Sequence, residues 1–206
     1  MMRFDTCFFE RYAKNTLTSI LGEEFDCLIN KDRPDLQSPD QSSIGIEVTR
    51  AMEESKKAAD MLLGEMAGVM PCEDDEDIQQ ILRSGYGYGL TDGQFIGKKE
   101  YEYWALALPL RRILESKIGK AANGFYGEFK TLGLYVFSKD DLTDESVSQT
   151  CSYVTELQNH NKIRYDKLYL SEISNLYVCE LFDGYAKIAR HPISLELRHK
   201  FFVDSI

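Results

Sequence analysis

The stretch Arg33-Pro34-Asp35-Leu36, and after it Ile44-Gly45-Ile46-Glu47-Val48-Thr49, decides how the rest of this 206-residue chain is read. Apolar residues alternate at Ile44, Ile46 and Val48, the pattern of a strand with one buried face. Strand geometry then turns Gly45, Glu47 and Thr49 to the other face. A glutamate in the middle of such a strand costs free energy unless a cation or a charge partner compensates it. Asp35 precedes the strand by a hairpin-like interval, so the two carboxylates can converge at one end of a sheet. Two converging hard oxygen ligands suit Mg2+, with water and a substrate phosphate completing the octahedron. A solvent-facing glutamate on an edge strand, with an aspartate capping the turn after Pro34, accounts for the spacing equally well.

Two helices flank this stretch, and each carries a charge out of place. The periodicity predicts a long helix over Lys98–Ala122, closed by Asn123-Gly124, with a bend at Pro109. At roughly 100° per residue, Leu106, Leu110, Ile113, Leu114 and Ile118 fall within an arc of roughly 120°, and Lys117 falls inside it. A lysine there either snorkels to the rim of the stripe or delivers its ammonium to an anionic site. The first helix, predicted over residues 4–21, places Glu10 among Ala13, Leu17, Ile20 and Leu21. An ion pair with Lys14 one turn on would explain Glu10 too, at only ~0.2–0.5 kcal/mol. A single shared site would account for Glu10, Asp35, Glu47 and Lys117 together.

With these residues in this order, the chain resembles the PD-(D/E)XK nuclease superfamily, the restriction-endonuclease-like fold. The resemblance rests on Pro34-Asp35, on Gly45-Ile46-Glu47-Val48-Thr49 and on the acidic residue in the preceding helix. It extends over the helix carrying Lys117 and a strand at Leu132–Phe137, roughly the first two-thirds of the chain. It implies a single three-layer α/β domain, residues 1–206, with a central mixed sheet flanked by helices. It further implies that Asp35 and Glu47 hold Mg2+, or Mn2+ in its place, with the carbonyl of Val48 as a further ligand. In that family a lysine two residues after the glutamate positions or activates the attacking water. Here Thr49 occupies that position, and Lys117 is the candidate for a lysine moved to a neighbouring helix. Glu10 would support a second metal or orient Lys117, and Thr49 would hydrogen-bond a metal-bound water. The implied activity is metal-assisted hydrolysis of nucleic-acid phosphodiester bonds. Thr49 also sustains a second reading, a nuclease-fold protein that binds or regulates without cutting.

The composition narrows how such a protein meets its substrate. Lys and Arg number 24 against 34 Asp and Glu, a net charge of −10. That argues against a surface that coats DNA non-specifically, because phosphate neutralisation needs clustered cations. It leaves room for a confined basic groove, and for a homodimer or a partner subunit that helps bind nucleic acid. No stretch approaches the ~18–20 apolar residues of a membrane span. Met1-Met2-Arg3-Phe4-Asp5 is no secretory signal, and five cysteines without a CxxC pair read as free thiols, so a cytoplasmic location is expected.

The remaining pattern predicts short strands and helices in alternation. A strand is expected at Phe25–Asn30, a turn-rich segment at Lys31–Ser43 and a helix over residues 52–68. The acidic run Glu73–Asp77 opens a short helix through Leu82, and Ser84–Gly93 reads as loop. Residues 73–97 together read as a mobile loop or insertion. A helix over residues 143–159 follows, then strands at Lys167–Leu170, Leu176–Phe182 and Tyr185–Ala189, the last two joined by an Asp183-Gly184 turn. A helix is expected after Pro192.

Overall fold

The structure, a computed structural model, describes residues 8–51, 90–91, 94–95, 98–138, 141–172 and 174–205. The helices predicted over 52–68 and up to Leu82, and the first residues of the opening helix, lie outside these. The described chain runs as helix α1 (Phe8–Leu21), a 3-10 turn (Glu23–Phe25), and strands β1 (Ile29–Asn30), β2 (Leu36–Gln37) and β3 (Ile44–Ala51). Strands β4 (Leu90–Thr91) and β5 (Gln94–Phe95) follow, then α2 (Lys98–Ala122), β6 (Thr131–Ser138) and α3 (Asp144–Leu157). The chain closes with β7 (Lys167–Ser171), β8 (Asn175–Phe182), β9 (Tyr185–Pro192) and α4 (Leu195–Asp204).

The chain divides into two compact units. One contains Met1–Arg50 and Leu114–Ile206, the other Ala51–Ile113. The second unit holds the antiparallel pair β4–β5 and the first part of α2. The first unit holds a seven-stranded mixed sheet of order β1-β2-β3-β6-β7-β8-β9. Within it β6 and β7 run parallel, while β1–β2, β2–β3, β7–β8 and β8–β9 are antiparallel.

Alternation along the strands assigns the two faces. Ile46 and Val48 of β3, Tyr135 of β6 and Leu176 and Val178 of β8 pack with Ala13 and Leu17 of α1 and Phe201 of α4. The intervening residues point the other way. There Cys179 of β8 meets Cys151 of α3, and Glu47 of β3 meets Lys117 of α2. Helices therefore cover both faces, and β6 in the middle is buried throughout Leu132–Val136, as a doubly covered strand must be. Thr143 caps α3, its hydroxyl accepting from Ser146 N–H while Ser146 Oγ accepts from Thr143 N–H. Among the described residues, no helix is long and apolar enough to cross a membrane.

Three local expectations are corrected. The strand expected over Phe25–Asn30 is a 3-10 turn at Glu23–Phe25, with only Ile29–Asn30 paired. The two buried side chains there, Phe25 and Leu28, are three residues apart, a helical-turn spacing and not a strand's. The turn-rich segment contains β2, whose two residues are too few to show a period. The loop expected at Ser84–Gly93 includes β4, and β5 also falls inside residues 73–97. The Asp92-Gly93 dipeptide between those strands is itself a hairpin signal.

Candidate functional site

The β2–β3 hairpin carries the two carboxylates, and its turn is tied by Asp40. The Asp40 carboxylate accepts from the Ser38 hydroxyl at 2.6 Å and from Ser42 and Ser43 N–H at 3.1 and 3.0 Å. The Ser38 hydroxyl and then the Ser43 hydroxyl, which donates to Oδ2, hold its carboxyl well below the usual carboxylate range, with the two N–H groups adding to them. The turn sets Leu36 opposite Ile46 and Gln37 opposite Gly45. One step further in that antiparallel register, Asp35 stands across from Glu47, on the same face of the sheet. Past the end of β2, Asp35 Oδ2 takes the next free donor of β3, Val48 N–H, at 2.7 Å. Gly45 is required on this face, because a Cβ there would sit 2.8 Å from the Phe129 ring and 2.9 Å from Pro34.

β3 is an interior strand, between β2 and β6. Glu47 is only 7% exposed, so its charge has no solvent to relieve it. Its partner is the Lys117 ammonium, which donates to Glu47 Oε1 at 2.5 Å. Leu114 and Ile118, on the same stripe of α2, are buried at 0% and 4% exposure and fix that side of the helix against the domain. The stripe's lysine thus reaches an anionic site and does not snorkel to the rim.

Glu10 enters from the first turn of α1. Its neighbour Phe9 lies under the Arg50 guanidinium of β3 at 4.3 Å and packs on Phe137 of β6 at 5.2 Å, which sets this turn at the far end of both strands. Glu10 Oε2 is buried without a hydrogen-bond partner. The electrostatics tie all four groups together at Asp35, whose carboxyl is pushed up to about 7. Burial is the main cause and the Glu47 charge the next; Val48 N–H opposes them, Glu10 adds to the rise, and Lys117 counters it.

Thr49 is half-buried on the face of Glu47, and none of the described hydrogen bonds joins its side chain to the cluster. Val48 touches the cluster through its N–H. Among the described residues no group of three or more His, Cys, Asp and Glu side chains is gathered tightly enough to hold a metal ion by itself. The protein side therefore offers a pair of facing carboxylates, with a third acid close enough to be felt.

Two tyrosines complete the site, and sequence reasoning missed both. Tyr126, in the turn after α2, is 3% exposed, and its hydroxyl has no hydrogen bond of good geometry. Burial, then the Glu47 charge, hold its phenol well above the ordinary range; the Tyr165 hydroxyl opposes them and Asp35 adds to the rise. Tyr165 donates to the Lys117 carbonyl at 3.3 Å, which ties the helix to the start of β7. The only sequence signal for Tyr126 is the Asn123-Gly124 helix stop, which turns the chain back at the end of α2.

No protein-family model, curated protein or solved structure matches this chain.

Proposed function

We propose that the chain is a Mg2+-dependent nuclease of the PD-(D/E)XK kind, hydrolysing nucleic-acid phosphodiester bonds at the Asp35–Glu47–Lys117 cluster. The observation that carries this reading is the buried excess of negative charge. Lys117 pairs with Glu47, Glu10 lies close enough to add its charge at Asp35, and Asp35 is pushed up to about 7 by burial and by Glu47. A buried Glu10 oxygen is left without a partner. Such an arrangement is costly in the protein alone and is relieved by a cation bound to hard oxygens. The element order also supports it: helix with Glu10, antiparallel β1-β2-β3 with Asp35 and Glu47, helix with Lys117, then β6.

The donors present, carboxylate and carbonyl oxygens, are of the hard type that such an ion takes. Asp35 and Glu47 would hold it, with the Val48 carbonyl as a further ligand and Glu10 behind them. When bound, Mg2+ supplies charge to a phosphoryl oxygen and makes a bound water a better nucleophile. Val48 N–H fixes the rotamer of Asp35 by holding Oδ2. Lys117 holds Glu47 by one oxygen, and its ammonium stands where it can orient a water or offset charge developing on the phosphate. Tyr126 walls the site on the Glu47 side and excludes solvent behind it. Calorimetric titration with Mg2+ and Mn2+ tests the ligand set: binding is expected in the wild type and lost in Asp35→Ala and Glu47→Ala.

A second reading is a nuclease-fold protein that binds without cutting. The closed Lys117–Glu47 pair favours it, because an ammonium at 2.5 Å from a carboxylate is already spent on that partner. The two readings part on turnover: metal binding without cleavage of single- or double-stranded DNA or RNA selects the second.

A further inference from the structure

Helix α2 ends in a Schellman turn that places an aromatic ring on a cation. Gly124, at φ 71°, reverses the chain, and its N–H donates to Ala121 O at 2.9 Å. Phe125 N–H then donates to Lys120 O at 3.1 Å, which sets the Phe125 ring over the last turn of the helix. Lys120 Nζ lies 5.4 Å from the ring centroid. Arg33, from the β1–β2 connection, brings its guanidinium to 4.7 Å from the same centroid. Arg33 holds a left-handed φ of 68°, unusual for a residue with a side chain and maintained only where its surroundings fix it. Its Nε also lies 3.4 Å from the Asp32 carboxylate, a pair open to solvent and so weakly held.

This cluster is exposed, yet it borders the buried one. Phe125 keeps 43% of its surface in solvent, and the Arg33 side chain keeps 58%. Arg33 is two residues from Asp35, so their Cα atoms lie within ~7.6 Å. Lys120 is one helical turn beyond Lys117, on the same side of α2. Phe125 adjoins Tyr126. A ring held in a fixed attitude by two cations, with a large exposed part, matches the recognition of an unpaired base. The base stacks on the ring or on the guanidinium plane, and the flanking phosphates meet the cations.

The surface continues from there. The Phe129 ring, against Gly45 and Pro34, forms one wall of a cleft of about 360 Å³ whose rim carries Lys130, Lys162 and Arg164. Two acids, Glu128 and Asp166, share the cleft. Asp166 is turned to Leu132 N–H at 2.8 Å, and Arg164 is paired with Asp183. In a chain of net charge −10, these cations form a confined tract and not a coat.

We propose that Phe125, Arg33 and Lys120 form a stacking platform for single-stranded nucleic acid, and that it feeds the strand past the Asp35–Glu47–Lys117 site toward the Lys130–Lys162 cleft. A duplex hides its base faces and cannot use the ring in this way. The proposal names the substrate class for the nuclease reading and rests on it for the strand's fate, though not for the strand's binding.

The test is fluorescence anisotropy of the full chain, in EDTA, with a labelled oligothymidylate and with its duplex. The wild type is expected to bind the single strand more tightly than the duplex. Phe125→Ala should weaken single-strand binding by about 5-fold or more, the loss of one stacked base. Phe125→Trp should retain binding, and its indole emission should be quenched by the bound strand, measured against the wild type, whose single tryptophan is Trp104. Arg33→Ala and Lys120→Ala should each lower the salt slope by about 0.7. Equal single-strand and duplex affinity, unchanged binding in Phe125→Ala, or emission from the Phe125→Trp variant that is indifferent to the strand overturns the platform. Failure of the active-site reading looks different: single-strand binding through Phe125 then persists, but the wild type cuts nothing when Mg2+ is restored.

Discussion

Lys117 and Glu47, 70 residues apart in the chain, meet at 2.5 Å between Nζ and Oε1, both largely removed from solvent. Removing one partner of such a pair strands the other's charge, at a cost of about 3–5 kcal/mol when burial is complete. Lys117 keeps some exposure, so Lys117→Met should destabilise the chain toward the lower end of that range. Adding Glu47→Gln should recover most of it. Urea unfolding of the two single variants and the double variant measures the coupling; additive losses would show that the contact carries no energy.

The raised Asp35 carboxyl makes metal-free stability depend on pH. Its folded value of about 7 exceeds the ordinary 3.8, so between those values the folded state binds more protons than the unfolded one. The stabilising contribution is full below about pH 4 and is lost as pH rises through about 7. Thermal melts in EDTA should show Tm falling across that window on account of this group. Asp35→Asn keeps an acceptor for Val48 N–H and removes the titration, so it should melt higher than the wild type at pH 8 and lack that fall.

Glu10 is one of the charges that raise Asp35. Glu10→Gln should therefore move the midpoint of the same decline to lower pH without abolishing it. An unchanged midpoint in the melting series would place Glu10 outside the cluster.

Gly45 faces the Phe129 ring, with only 2.8 Å available for a Cβ. Gly45→Ala must displace that ring or strain β3, at about 1–3 kcal/mol, typical of overpacking. Chemical denaturation reads the loss directly, and wild-type stability would contradict the close approach.

The four charges were legible because each breaks a local pattern. Glu47 interrupts Ile46 and Val48, Lys117 and Glu10 interrupt apolar stripes, and Asp35 follows a proline in a turn. Tertiary structure resolves those conflicts by bringing the charges to one another, which is why the pattern breaks pointed to a common place. Helix α2 was legible to its last residue because its apolar stripe persists through the charge at Lys117 and is ended by Asn123-Gly124. β2 was hidden because two residues carry no period, and its existence depends on Leu36 meeting Ile46 across the Asp40 turn. Tyr126 and Phe125 were hidden because aromatics in a loop have no repeat to reveal their direction. Their direction is set by the Schellman bonds of Gly124 and Phe125.

The proposed metal-dependent phosphodiesterase site of Asp35, Glu47 and Lys117 is read out by catalysis itself. Its most direct test is cleavage of single- and double-stranded DNA and RNA by the full chain, with Mg2+ or Mn2+ and with EDTA, alongside Glu47→Ala. Cleavage is expected that requires the metal and disappears in Glu47→Ala. Cleavage that survives the substitution, or no cleavage of any of the four substrates with either metal, would contradict it.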